Sequence, residues 1–113
     1  MVEMPAAEAL GRYLSLATQQ MKLTAANMAN VDTPGYRTQG FDFQTEFARA
    51  LNTGGEPSVN DVDGLVSRPD GNNVSVDREA MQMAVTQLQF RTGVELLRHE
   101  YSSMMNAIKS DAR

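Results

Sequence analysis

His99 is the chain's single histidine. Its neighbours Arg98, Glu100 and Tyr101 place it on a charged stretch that reads as a helix face turned to solvent or to a neighbouring helix. One imidazole cannot supply a multi-histidine metal site, and there is no cysteine to add a thiolate, a disulfide or a sulfur nucleophile. Asp61-Val62-Asp63-Gly64 begins like a calcium loop, because alternate carboxylates can converge on a hard cation. The glycine comes too early and the terminal bidentate glutamate is missing, so a solvated acidic loop is the better reading. Asn73-Val74-Ser75 matches a glycosylation acceptor, a pattern too short to carry weight. No glycine-rich phosphate cradle follows a strand, and no serine sits in a nucleophile elbow. These residues predict no enzyme, no metal and no cofactor or small-molecule substrate.

The 113 residues leave room for one domain. With 14 acidic residues against 10 basic ones, the net charge is −4. A nucleic-acid binder needs a clustered positive surface, so nucleic acid is not an expected partner. Residues 1–30 balance Glu3 and Glu8 against Arg12 and Lys22, and residues 77–113 are also neutral. Residues 31–76 set seven acids against Arg37, Arg49 and Arg68, and so hold the whole deficit. Neutral ends let many copies crowd together without mutual repulsion. No apolar run approaches the roughly 18 residues of a membrane span, and the start lacks the basic-then-apolar pattern of a cleavable signal. Only 6% aromatic residues, no Trp and 8 Met favour adaptable helical packing over a dense aromatic core.

Two helices must carry whatever function remains. Leu10, Leu14, Ala17, Met21, Thr24, Met28 and Val31 alternate steps of four and three, a coiled-coil seam. Pro5 suits an early helical position, and Asp32-Thr33-Pro34-Gly35 supplies the stop. Phe90, Val94, Leu97, Tyr101, Met104 and Ile108 form a second seam, and Met81, Val85, Leu88, Thr92 and Leu96 a shorter stripe on another face. Asp77 is a plausible N-cap for this helix, with Val76 and Met81 as a hydrophobic staple. Gly93 weakens the helix by roughly 1 kcal/mol relative to Ala and marks a close crossing or a bend. Between the helices, Phe41, Phe43 and Phe47 suit either a short strand or a helical turn over Gln44–Leu51. Leu65-Val66-Ser67 and Val74-Ser75-Val76, flanking Pro69-Asp70-Gly71-Asn72-Asn73, suit a small hairpin.

The fold expected is mainly α and elongated. It is one domain over 1–113, with an N-terminal helix (1–31), a turn and irregular or β-hairpin middle (32–76), and a C-terminal helix (77–113). Helices of about 39 and 48 Å do not fit inside a globule whose radius of gyration is about 13 Å. An antiparallel hairpin would let the two seams bury each other. Even so, Met81, Val85, Leu88 and Leu96, with Tyr13, Leu16 and Leu23, would stay exposed and mark an interaction surface. Burying each such side chain contributes about 1.5–3 kcal/mol, so self-association is the expected outcome.

The most informative segment runs from Ala26 to Arg37. Asn27 and Asn30, one turn apart on one helix face, can satisfy orphan carbonyls and turn amides, and the Thr33 hydroxyl can do the same. Tyr36 offers a flat apolar body with a polar tip. A plain helix end would explain Asp-Thr-Pro-Gly, yet not the paired asparagines or the tyrosine.

This segment resembles the N-terminal signature of bacterial flagellar rod and hook proteins, Asn-x-x-Asn-x-x-Thr-x-Gly-Tyr-Lys, matched here by Asn27, Asn30, Thr33, Gly35 and Tyr36, with Pro34 inside the same turn. Arg37 stands where lysine is usual and keeps the charge. Phe41-Asp42-Phe43, Asp70-Gly71-Asn72-Asn73-Val74 and Gln87-Leu88-Gln89-Phe90 look like the proximal-rod members of that family. The resemblance implies a structural subunit that polymerises helically into the periplasmic rod of the basal body. It also implies export through the flagellar type III apparatus without signal cleavage, and ends that order as helices on assembly. Partners would be other rod subunits and the membrane-ring or rod-adaptor proteins. Leu10, Leu14, Ala17, Met21, Phe90, Val94, Leu97, Tyr101, Met104 and Ile108 would pack against neighbours. Rival readings are another small rod subunit, or a soluble helical adaptor or export chaperone.

Overall fold

Three helices and one very short strand pair make up the structure, a computed structural model that describes residues 5–111. In chain order these are α1 (Ala6–Ala29), β1 (Gln39–Gly40), α2 (Phe43–Asn52), β2 (Asn60–Asp61) and α3 (Val76–Asp111). The outermost residues of the two expected helical segments, 1–4 and 112–113, lie outside the described residues. The molecule measures 70 × 28 × 17 Å with a radius of gyration of 18.2 Å. A compact chain of this length would have about 13 Å, so it is elongated, as the helix lengths require.

Helices α1 and α3 pack antiparallel: Asn27 meets Glu79 near one end of the pair, and Leu14 meets Gly93 farther along. Small residues let the backbones approach. A Cβ added at Gly93 would lie 2.8 Å from Leu14 Cδ2 and 3.1 Å from Tyr13 Cδ1, so the close crossing is the reason for this glycine. Ala17, Thr24 and Thr86 are completely buried nearby, and the Thr86 hydroxyl is satisfied by the Gln82 carbonyl (2.8 Å). Leu16, Ala17 and Val74 are the fully buried apolar residues among those described, while Gln20, Asn27, Thr38, Asn72, Asn73 and Glu79 are buried and polar. The interior is therefore fixed largely by hydrogen bonds, which are directional where apolar contact is not.

The middle segment is irregular with one short antiparallel pair, as expected, but the residues that pair are not 65–67 and 74–76. The antiparallel pair is formed by β1 and β2, with Gln39 opposite Asp61 and Gly40 opposite Asn60. Residues 65–67 and 74–76 do not pair as strands, because the 68–72 turn closes on itself through Arg68 N–H to Asn72 O (2.8 Å) and Gly71 N–H to Arg68 O (2.9 Å). Phe43 and Phe47 resolve as a helix, which Phe41 precedes. Asp42 caps α2 by accepting from the Thr45 N–H (3.0 Å), and Phe43 and Phe47 meet the Tyr13 ring edge-on at 5.1 and 5.3 Å. This small helix covers Tyr13, and Leu16 is buried, so neither is left open as the sequence suggested. The α3 cap also differs. Ser75 Oγ accepts from the Arg78 N–H (3.2 Å), Asp77 already lies inside the helix, and Val76 and Met81 are exposed and form no staple.

Two predictions follow from this packing. Gly93→Val should lower stability by about 1–3 kcal/mol through overpacking. Gly11→Ala, on α1 with nothing within 4 Å of the added carbon, should raise it by up to about 1 kcal/mol. Urea unfolding followed by circular dichroism distinguishes the two. The second concerns acid. Hydrogen bonding to the Thr45 backbone holds the Asp42 carboxyl below its ordinary range. The Arg49 guanidinium (2.7 Å), aided by the Ser58 N–H (2.8 Å), does the same for Glu46. Both then bind protons more weakly in the folded chain than in the unfolded one. Their stabilisation is complete above the unfolded values of 3.8 and 4.5 and is lost as pH falls below them. The near-ultraviolet signal of the Tyr13–Phe43–Phe47 cluster should fade over that acid range, and Glu46→Gln should flatten the response.

Candidate functional site

The signature asparagines lie where α1 ends and the chain turns back toward α3. Asn27, 1% exposed, uses both ends of its amide. Its Nδ2 donates to the Gln39 carbonyl (2.9 Å) and to Glu79 Oε1 (2.5 Å). Its Oδ1 accepts from the Gln39 N–H (3.0 Å) and from the Tyr36 hydroxyl (3.2 Å). The amide thus pairs with Gln39 as a strand backbone would, and extends the β1–β2 pair onto α1. Glu79, equally buried, is held on its other oxygen by Arg78 Nη1 (2.5 Å). A buried carboxylate needs this pairing to offset its desolvation.

Asn30 caps the last turn, donating to the Ala26 carbonyl (2.8 Å) and accepting from the Thr33 hydroxyl (3.0 Å). Pro34 and Gly35 are exposed, and Gly35 sits at a φ of +77°, which favours glycine. Gly71 faces it at a φ of +87°, so near that an added Cβ would lie 3.4 Å from the Gly35 Cα. Two residues adjacent to Gly71 tie the turns together. Asn72 donates to the carbonyls of Asn30 (2.9 Å) and Thr33 (2.8 Å) while accepting from the Val74 N–H (2.8 Å). Asn73 accepts from the Thr38 N–H (2.7 Å), and its carbonyl from the Thr38 hydroxyl (3.2 Å). Arg37 reaches across to the Ser67 hydroxyl (2.7 Å) and the Gly71 carbonyl (3.3 Å). The result is a polar knot that fixes the angle between α1, the strand pair and α3.

Sequence reading found Asn27, Asn30, Thr33, Pro34, Gly35 and Tyr36, and the structure brings all six to this knot. It missed Gln39, Thr38, Asn72, Asn73 and Glu79 as their partners. The signal available was Asp70-Gly71-Asn72-Asn73-Val74, which read as a turn and as part of the family resemblance but not as a partner of Asn27 and Asn30. Along the helices, Leu10, Leu14, Met21, Phe90, Val94 and Leu97 are half-buried in the α1–α3 hairpin and Ala17 is sealed inside it. Tyr101, Met104 and Ile108 are exposed, as this end of α3 extends past the described start of α1. Met81, Val85, Leu88 (67% exposed) and Leu96 form a second open stripe. His99, Asp61 and Asp63 are exposed, and no cluster of His, Cys, Asp or Glu among the described residues is placed to hold a metal. No described helix is long and apolar enough to cross a membrane.

Residues 12–37, the α1 half of the knot, match the family described as "Flagella basal body rod protein". Over almost the full length, the chain is 31% identical to the flagellar basal body rod protein FlgB of Salmonella typhimurium, with 85% of this chain and 87% of that protein aligned. It is 29% identical to FlgB of Escherichia coli K12 (86% and 88% aligned) and 31% identical to FlgB of Cereibacter sphaeroides (87% and 89%).

The knot makes a sharp prediction. Asn27→Leu fills similar volume but strands the buried Glu79 carboxylate and both Gln39 backbone groups, and should cost about 3–5 kcal/mol. Tyr36→Phe removes one of the four bonds and should cost about 1 kcal/mol. Urea midpoints of the two variants and the parent chain check the ratio.

Proposed function

Because the chain belongs to the FlgB family of flagellar basal body rod proteins, and is a structural subunit of that rod, we propose that it occupies the proximal rod and polymerises there helically through α1 and α3. In this reading it joins the membrane ring to the distal rod and hook across the periplasm. Its partners are other rod subunits, the membrane-ring or rod-adaptor proteins and, on the way out, the flagellar type III export apparatus. Its work is mechanical and not catalytic.

One observation supports polymerisation above the others. The α3 seam continues through Tyr101, Met104 and Ile108 with no described residue of α1 to cover it. Exposed apolar stripes of this kind mark interaction surfaces, and each side chain buried there contributes about 1.5–3 kcal/mol. Residues 77–113 are electrically neutral, so copies of this segment meet without net repulsion. The knot in this reading holds the angle at which each subunit presents α3 to its neighbours.

Met104→Asp and Ile108→Asp should leave the stability of the free chain within about 0.5 kcal/mol, because both sites are exposed. In cells relying on either variant, swimming and rod assembly should be lost. Electron microscopy of basal bodies from cells lacking the gene tests the reading itself: an intact rod would refute it.

A further inference from the structure

We propose that the groove between α1, the β1–β2 pair and the start of α3 is an acidic socket for the basic edge of α3 from a second copy of this chain. This rests on the rod-subunit reading and names one contact by which neighbouring copies meet. The groove has a volume of about 440 Å³ and is lined by Gln20, Asp42, Asp61, Asp63, Arg78 and Gln82, among others. Arg78 is neutralised by Glu79, so the three aspartates leave the rim negative. Gln20 is 6% exposed, faces this groove, and makes no side-chain hydrogen bond among the described residues. Its amide atoms are not sealed from solvent and are open to a donor that enters the groove. The carboxylates are not grouped to hold a metal ion. A guanidinium or ammonium group on a long stem suits them better, since its donors spread over several acceptors.

This chain supplies such groups. Arg91, Arg98 and Lys109 lie within about 20° of one another around α3, at roughly 100° per residue. Arg98 pairs with Glu95 (3.2 Å), while Arg91 and Lys109 have no ion pair among the described residues. They cannot reach the groove of their own chain. The groove borders α3 at Arg78 and Gln82, and Arg91 lies about 14 Å farther along a rigid helix. The contact is therefore between unlike surfaces of two copies, the type that propagates into an open filament. It also accounts for the division of charge: the acidic middle of one subunit meets a basic edge in the segment 77–113, which is neutral overall.

The absence of native cysteine makes the test direct. Basal bodies are isolated from cells whose only copy carries Asp63→Cys together with Arg91→Cys, Lys109→Cys or Leu96→Cys, then oxidised. Disulfide-linked dimers are expected with Arg91→Cys or Lys109→Cys, and few with Leu96→Cys on the other side of α3. Rods that contain the protein yet give no dimer from either basic position, or as much from Leu96→Cys, overturn the socket and leave the rod reading standing. Basal bodies from which the chain is missing overturn both. As a second arm, Asp61→Lys with Asp63→Lys should reduce swimming at least tenfold, and adding Arg91→Glu with Lys109→Glu should restore it. Failure of that restoration also overturns the socket.

Discussion

A single side-chain amide holds the architecture together. Asn27 is the point at which α1, the turn, the strand pair and α3 all meet, and its four hydrogen bonds meet three requirements: two go to a strand backbone, one to a tyrosine tip, one to a buried carboxylate. A leucine could fill the same space, but nothing apolar could pair with Gln39 and Glu79 at once. Buried polar groups are costly unless fully satisfied, so such a knot tolerates few alternative arrangements. That is the physical content of the Asn-x-x-Asn-x-x-Thr-x-Gly-Tyr signature. It specifies a direction for the chain, and its rigidity comes from geometry more than from buried area.

Away from the knot the balance changes. The α1–α3 contact is close where glycine, alanine and threonine line it, and α3 outlasts α1. A helix of 36 residues cannot be covered by one of 24, and the surplus is apolar at coiled-coil spacing. No described residue of α1 covers that surplus, and burial against another chain would recover its free energy. The same inequality that makes the monomer elongated makes association favourable, which suits a subunit of a rod.

The small helix α2 has a different part. Its aromatic pair closes over Tyr13, and its Arg49–Glu46 pair, with the Ser58 N–H, ties the loop that follows. By covering the outer face of α1, it directs the remaining open apolar surface to α3.

The helices, their seams and the glycine at their crossing were legible in the sequence, because periodicity and backbone preference are local properties. So was the signature turn, since asparagine, threonine, proline and glycine each act on their immediate neighbours. The hairpin expected at 65–76 was not found, because strand pairing depends on partners distant in sequence: Gln39 chose Asp61, and the 68–72 turn closed on itself. The N-cap moved from Asp77 to Ser75 for the same reason, as Asn72 and Asn73 fix where α3 begins. What no local pattern could reveal is that Asn72, Asn73 and Glu79 complete the knot begun at Asn27. Their types are ordinary for a turn and a first helical turn, and only the antiparallel return of α3 brings them within hydrogen-bond distance.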